Sequence, residues 1–190
     1  MYSVYQLALK YFSYYFSAAN GKGHAVHSPF VFDFIKFVKN DRTKYSCYGS
    51  IEKLRRQLLN NRSVIDVQDF GAGSTVIKTN KRAVDKMAAS SLKPKKFAQL
   101  LFRIVQYYQP QTMIELGTSF GITSAYLAKG NAAGKLYTLE GSPAISGIAR
   151  QNFDSLELKN VELIEGDFSN TLKALLSSLP QIDLAFVDGN

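Results

Sequence analysis

At 190 residues, 46% hydrophobic and 20% charged, the chain has the composition of an ordinary single folded domain, which excludes a disordered protein. No apolar stretch approaches the roughly 20 residues needed to span a bilayer, and the N-terminus lacks the apolar segment and small-residue cleavage site of a secretory signal, so a cytoplasmic location is expected. The net charge of +8 is unevenly divided: residues 1–110 hold 18 Lys and Arg against 6 Asp and Glu, and residues 111–190 hold 5 against 9.

Residues 1–19 read as a helix with aromatics on more than one face, which must pack on something, and NGKG at 20–23 ends it. His24 and His27 follow in a loop; two imidazoles without a third ligand make a poor metal site, and His27 before Ser-Pro suits turn chemistry better. Ser28 then caps a second helix with Pro29 at its first position, and Phe30, Phe34, Phe37 and Val38 supply its apolar stripe. The single cysteine, Cys47, has no disulfide partner, which agrees with a reducing compartment and with a small buried hydrophobe. A third helix is predicted from Ile51 to Leu59.

In VIDVQDFGAGS, Asp69, Gly71 and Gly73 imitate the acid-and-glycine turn of a nucleotide site. The sequel VIKTNKRAVDK is too polar for a helix packed under a sheet, so residues 64–74 are expected to be a strand or extended loop with a glycine turn, followed by a helix cap at Asn80. From Pro94, the residues Phe97, Leu100, Leu101, Ile104, Val105 and Tyr108 fall at helical spacing and predict one buried face, stopped by Pro110. The basic residues of this first half are scattered through helices, which suits solvated faces better than a nucleic-acid surface.

Strand and helix then alternate: TMIEL, a helix from about Phe120 to Lys129, KLYTLE, a helix opened by Ser142 and Pro143, VELIEG, a helix through Leu172 to Leu179, and IDLAFVDG. Short apolar strands in βαβαβαβ order predict an α/β fold: a Rossmann-like, doubly wound parallel sheet with helices on both faces, preceded by a helical N-terminal extension.

Ligands of such sheets bind at the carboxyl ends of the strands. Here the four ends carry Glu115 with Gly117 and Gly121, Glu140, Gly166 with Asp167, and Asp188. The glycines let a ligand lie against backbone N–H groups, and the following helix points its positive N-terminus at an anion. Glu140 stands about 20 residues after the glycine turn, where an acid grips both ribose hydroxyls, so the ligand is a nucleoside. A dinucleotide needs GxGxxG, yet Ser119 and Ile122 hold the second and third glycine places, which counts against an NAD-dependent oxidoreductase; GxxxxGK[ST] is absent as well.

ELGTSFG, TLEGSP, EGDF and LAFVDG, in this order and spacing, resemble the motifs of class I S-adenosylmethionine-dependent methyltransferases, particularly the small-molecule O-methyltransferase branch. The resemblance covers about residues 92–190. HSPFVFDFI and DFGAGS resemble the N-terminal extension of a bacterial branch common among Bacteroidetes. The resemblance implies that Glu115, Gly117, Thr118, Ser119 and Gly121 line the methionine part of the cofactor, with Thr123 near its carboxylate. It further implies that Glu140 holds the ribose, that Asp167 accepts the adenine amino group with Phe168 beside the ring, and that Asp188 lies near the methyl donor. Asp188 is then both the candidate catalytic base and the first ligand of an incomplete divalent-cation site, for which hard oxygen chemistry suits magnesium or calcium.

The family's sheet has seven strands and this chain supplies the first four. The expected organisation is therefore a helical extension or lid over residues 1–91, part of the same domain, and a cofactor core over residues 92–190 that reads as C-terminally truncated. The fourth strand is expected at an exposed, apolar sheet edge liable to pair with another chain, so a homo-oligomer is a possible state. The expected function is methylation of a small molecule; a non-catalytic nucleoside-binding fragment and a methyltransferase acting on RNA or protein stay open as alternatives.

Overall fold

The computed structural model describes residues 28–67 and 81–188, together with Tyr5, Gln6, Ala8 and Leu9. It falls into two compact units, Met1–Thr43 and Lys44–Asn190. The reading of residues 1–19 as one helix, the two histidines and the Asp69–Ser74 glycine turn lie largely or wholly outside the described residues. Among those described, no helix is long and apolar enough to cross a membrane.

In the first unit, Ser28 caps the helix α1 (Pro29–Asp33), its hydroxyl accepting from the Val31 N–H at 3.4 Å, with Pro29 in the first turn. The chain then widens into a π-helical stretch, Phe34–Lys39, closed by the Asn40 N–H on the Ile35 carbonyl at 3.1 Å. That widening corrects the predicted stripe. Bonds from i to i+5 rotate side chains off the 3.6-residue period, and of Phe30, Phe34, Phe37 and Val38 only Val38 is buried.

In the second unit, α2 (Cys47–Leu59) begins four residues before the expected Ile51 and buries Ile51, Leu54, Arg55 and Leu58 along one face. A two-stranded antiparallel hairpin follows, β1 (Val64–Asp66) on β2 (Lys81–Ala83), with Ile65 opposite Arg82. Strand β2 runs directly into α3 (Val84–Ser91), and Leu92 to Pro94 turn the chain into α4 (Lys95–Tyr108). Gln109, in the left-handed conformation, ends α4 just before Pro110.

The buried face of α4 is Ala98, Phe102 and Val105, rotated from the predicted one; Phe97 and Tyr108 are 47% and 40% exposed. The cause is the neighbouring α5 (Ile122–Gly130): Gly130 lies so close that a β-carbon there would come within 2.8 Å of Val105. The close approach seats the Gly130 backbone against Val105 and the Phe102 carbonyl, and so turns the face that carries Ala98, Phe102 and Val105 inward.

The main sheet contains β3 (Thr112–Leu116), β4 (Lys135–Glu140), β5 (Val161–Glu165) and β6 (Leu184–Val187), all parallel, in the order β5-β4-β3-β6. Helices α5, α6 (Pro143–Ser155) and α7 (Phe168–Ser178) make the crossovers. All four strands lie where the alternating pattern predicts. The chain steps outward from β3 to β5 and then returns to the other side of β3 as β6, so strand order reverses between β3 and β6. Strand β6 has only β3 as a neighbour among the described residues, and Val187 is 66% exposed there.

Candidate functional site

The turn from Leu116 to Ile122 bends sharply, with Gly117 at φ 96°, Ser119 at φ 49° and Gly121 at φ 80°. The N–H groups of Gly117 and Thr118 both donate to the Leu139 carbonyl at 3.0 Å, which ties the turn to the end of β4. Gly121 is required twice: its φ disfavours a side chain, and a β-carbon would stand 2.4 Å from the Phe153 ring of α6. The Asn152 amide holds the same turn, donating to the Phe120 carbonyl at 2.8 Å.

Glu115 lies beneath this turn, fully buried. Its Oε2 accepts from the Ser124 hydroxyl in the first turn of α5 and from the Thr138 hydroxyl at 2.7 Å, while Oε1 is buried without a partner. Because Thr138 gives its proton to Glu115, the 2.6 Å contact between Thr118 and Thr138 has Thr118 as donor. Burial pushes the Glu115 carboxyl up to about 7; the bonds from Ser124 and Thr138 oppose that, and the charges of Asp188 and Glu140 reinforce it.

Glu140, at the end of β4, accepts from the Ser119 N–H at 2.9 Å through Oε2 and from the Ser142 N–H at 3.1 Å through Oε1. Burial raises its carboxyl above the ordinary range, against the lowering effect of the Ser142, Ser119 and Gly141 N–H groups. Each carboxylate oxygen has a second lone pair, so both oxygens still accept from paired hydroxyls. Thr123 is buried in the first turn of α5.

At the end of β5, Gly166 turns at φ 136° and donates to the Glu140 carbonyl at 3.0 Å. Asp167 caps α7, its Oδ1 accepting from the Ser169 N–H at 2.7 Å; the bonds from Ser169 hold its carboxyl below the usual range. Phe168 packs beside Ile114, Leu139 and Leu175, and contributes with Leu172, Lys173 and Leu176 to an open groove along α7 of about 410 Å³. At the end of β6, Asp188 donates its N–H to the Leu116 carbonyl at 2.9 Å and binds the Lys93 ammonium at 2.5 Å through Oδ1.

With strands about 4.8 Å apart, the four ends span roughly 14 Å, the length of an extended nucleoside carrying an amino-acid chain. The glycine turn, a ribose-type acid at Glu140 and acids at the next strand ends fit such a ligand. Among the described residues, no three His, Cys, Asp or Glu side chains form a metal-binding group.

Residues 114–190 match the family profile described as a methyltransferase domain. Over these residues, fewer than half of the chain, the sequence is similar to methyltransferase domains. Its fold resembles that of an O-methyltransferase of Bacillus cereus in complex with SAH, at 20% identity and a TM-score of 0.54 over 80% of this chain and 57% of that one. The fold also resembles that of the SAM-bound O-methyltransferase TomG of Streptomyces achromogenes, at 18% identity and a TM-score of 0.54 over 81% of this chain and 58% of that one. A SAH-bound methyltransferase of Podospora anserina matches at 18% and 0.56 over 100% and 61%. The chain thus spans less than two thirds of the length of these solved relatives. No curated protein matches the sequence.

Several residues around the four strand ends escape sequence reasoning. Thr138 was recoverable from register, since it pairs directly with Glu115 across the sheet. Ser91, whose hydroxyl lies 3.0 Å from that of Ser119, and Lys93 belong to the turn between α3 and α4, and nothing local marks them.

Proposed function

We propose that the chain transfers a methyl group from S-adenosylmethionine to an oxygen of a small-molecule acceptor. The observation that carries this reading is the arrangement of Glu140, Asp167 and Asp188 at successive strand ends around the Gly117–Gly121 turn, at the point where strand order reverses. In this reading Glu140 holds the ribose hydroxyls, and Gly117, Thr118, Ser119 and Gly121 lie against the methionine part, with Thr123 near its carboxylate at the start of α5. Asp167 accepts from the adenine amino group with the oxygen not used in capping, and Phe168 lies beside the ring. Glu115, buried under the turn, holds its shape through Ser124 and Thr138.

The bound cofactor supplies an already activated methyl group, so the protein's task is alignment of the acceptor oxygen and exclusion of water. Asp188 is the carboxylate we assign to the proton of the acceptor hydroxyl. The described residues do not complete a divalent-cation site around it, and the ammonium of Lys93 stands beside Asp188 instead. We assign the cofactor core to residues 92–190 and the remainder to an extension that contributes Ser91 at the crevice.

Calorimetric titration with S-adenosylhomocysteine tests this reading. Saturable binding that Glu140→Ala weakens at least about tenfold is expected, because a half-buried acid holding two hydroxyls is lost. Binding of NADH with no response to S-adenosylhomocysteine would overturn it.

A further inference from the structure

The turn between α3 and α4 crosses the place where strand order reverses. Ser91 touches Ser119 in the glycine turn after β3, and two residues later Lys93 reaches Asp188 at the end of β6. Lys93 is anchored on several sides. Its carbonyl accepts from Arg55 Nη1 at 2.8 Å, and Arg55, only 9% exposed, is fixed by Glu52 at 3.1 Å. Glu52 also accepts from the Tyr126 hydroxyl of α5 at 2.8 Å, which links this anchor to the helix following the glycine turn. The ammonium lies 5.5 Å from the centre of the Phe186 ring, and the Lys93 and Asp188 side chains are 28% and 29% exposed, so solvent screens the pair only in part.

We propose that Lys93 sets the balance between methyl donor and demethylated product, by neutralising Asp188 where the sulfonium charge is bound. The inference rests on the methyltransferase reading above. S-adenosylmethionine and S-adenosylhomocysteine differ by a methyl group and by one positive charge on sulfur. A lone carboxylate beside that sulfur favours the charged donor, and a lysine held against the carboxylate cancels the preference. Lys93 is thus a specificity-determining residue that acts through Asp188.

The test is the ratio of affinities for the two ligands, measured by calorimetry on the full chain. Lys93→Ala is expected to raise the ratio in favour of S-adenosylmethionine by on the order of tenfold, as removal of one unit charge a few ångströms from a partly buried site does. Lys93→Gln, which keeps the stem and a hydrogen-bond donor, gives the same shift should the alanine variant fail to fold. Lys93→Arg keeps the ratio within about twofold, and Asp188→Asn moves it toward S-adenosylhomocysteine. Weakening of both ligands alike in the alanine and glutamine variants, as a merely structural lysine would cause, overturns the proposal. Failure of the unaltered chain to bind either ligand overturns the methyltransferase reading itself.

Discussion

Glu115 of β3 and Thr138 of β4 are register partners in the parallel sheet, and the threonine hydroxyl donates to the buried carboxyl at 2.7 Å. This pair joins the floor of the glycine turn to the strand that ends in Glu140. It also places a group with a displaced proton affinity in the centre of the domain.

Stability should therefore decline as pH rises through the acid range. The Glu115 carboxyl stands near 7 in the folded chain against 4.5 when free, so the folded state keeps its proton where the unfolded state has lost it. The associated stability is complete below about pH 4.5, falls between there and pH 7, and is flat above; the drop is roughly 3 kcal/mol. Glu115→Gln should flatten this segment of a denaturant-derived stability profile. An unchanged slope in the variant would assign the titration to another group.

Asp183 works in the opposite direction. Its Oδ2 accepts from the N–H groups of Gln111 and Thr112 at 2.9 Å, fixing the entry to β3, and these bonds with that from Gln181 hold its carboxyl below 3.8. A depressed carboxyl contributes stability above its unfolded value that is lost as pH falls through the folded one, so this contribution begins to fall at about pH 4 and is gone only below the folded value. Asp183→Ala should make the acid limb of the profile shallower, the depressed Asp167 carboxyl still contributing to it, and leave the neutral region parallel to that of the unaltered chain.

Gly121→Ala should destabilise the chain by about 2–3 kcal/mol, seen as a melting temperature lower by about 4–12 °C. The new methyl group meets the Phe153 ring and forces a left-handed backbone. Phe153→Leu in the same chain should recover part of the loss, because it removes the steric component and leaves the backbone one. Equal melting of the single and double variants would show that only the backbone matters.

Asn160→Ala should cost about 1–3 kcal/mol, the loss of a half-buried hydrogen-bond network with no part in ligand binding. Its amide donates to the carbonyls of Ala128, Asn131 and Gly134, clasping the end of α5 to the start of β4. Chemical denaturation should report the loss while affinity for S-adenosylhomocysteine is unchanged.

The strands and their order of succession were legible because TMIEL, KLYTLE, VELIE and LAFV are short apolar runs closed by Gly or acid, a pattern that helices do not share. Ser28 with Pro29, and Ser142 with Pro143, likewise marked helix starts. What failed was orientation. The face of α4 depends on Gly130, which lies on another helix, and the π-helical stretch after Asp33 depends on no local signal. Contacts such as Lys93 with Asp188, 95 residues apart, follow from the return of the chain across β3 and leave no trace in spacing.

The return of β6 to the flank of β3 also sets an order of assembly. Strands β3, β4 and β5 pair with close neighbours in the sequence, whereas the bond from Thr112 to Asp183 closes a loop of 71 residues. Closing the longer loop carries the larger entropy cost, so β6 is expected to join last and to open first. The crevice has β6 as one wall, so the amides of Leu184 to Val187 should exchange with solvent fastest among the four strands, and bound nucleoside should slow them most. A complete crevice would then be a late event in folding, acquired only after the rest of the sheet has formed.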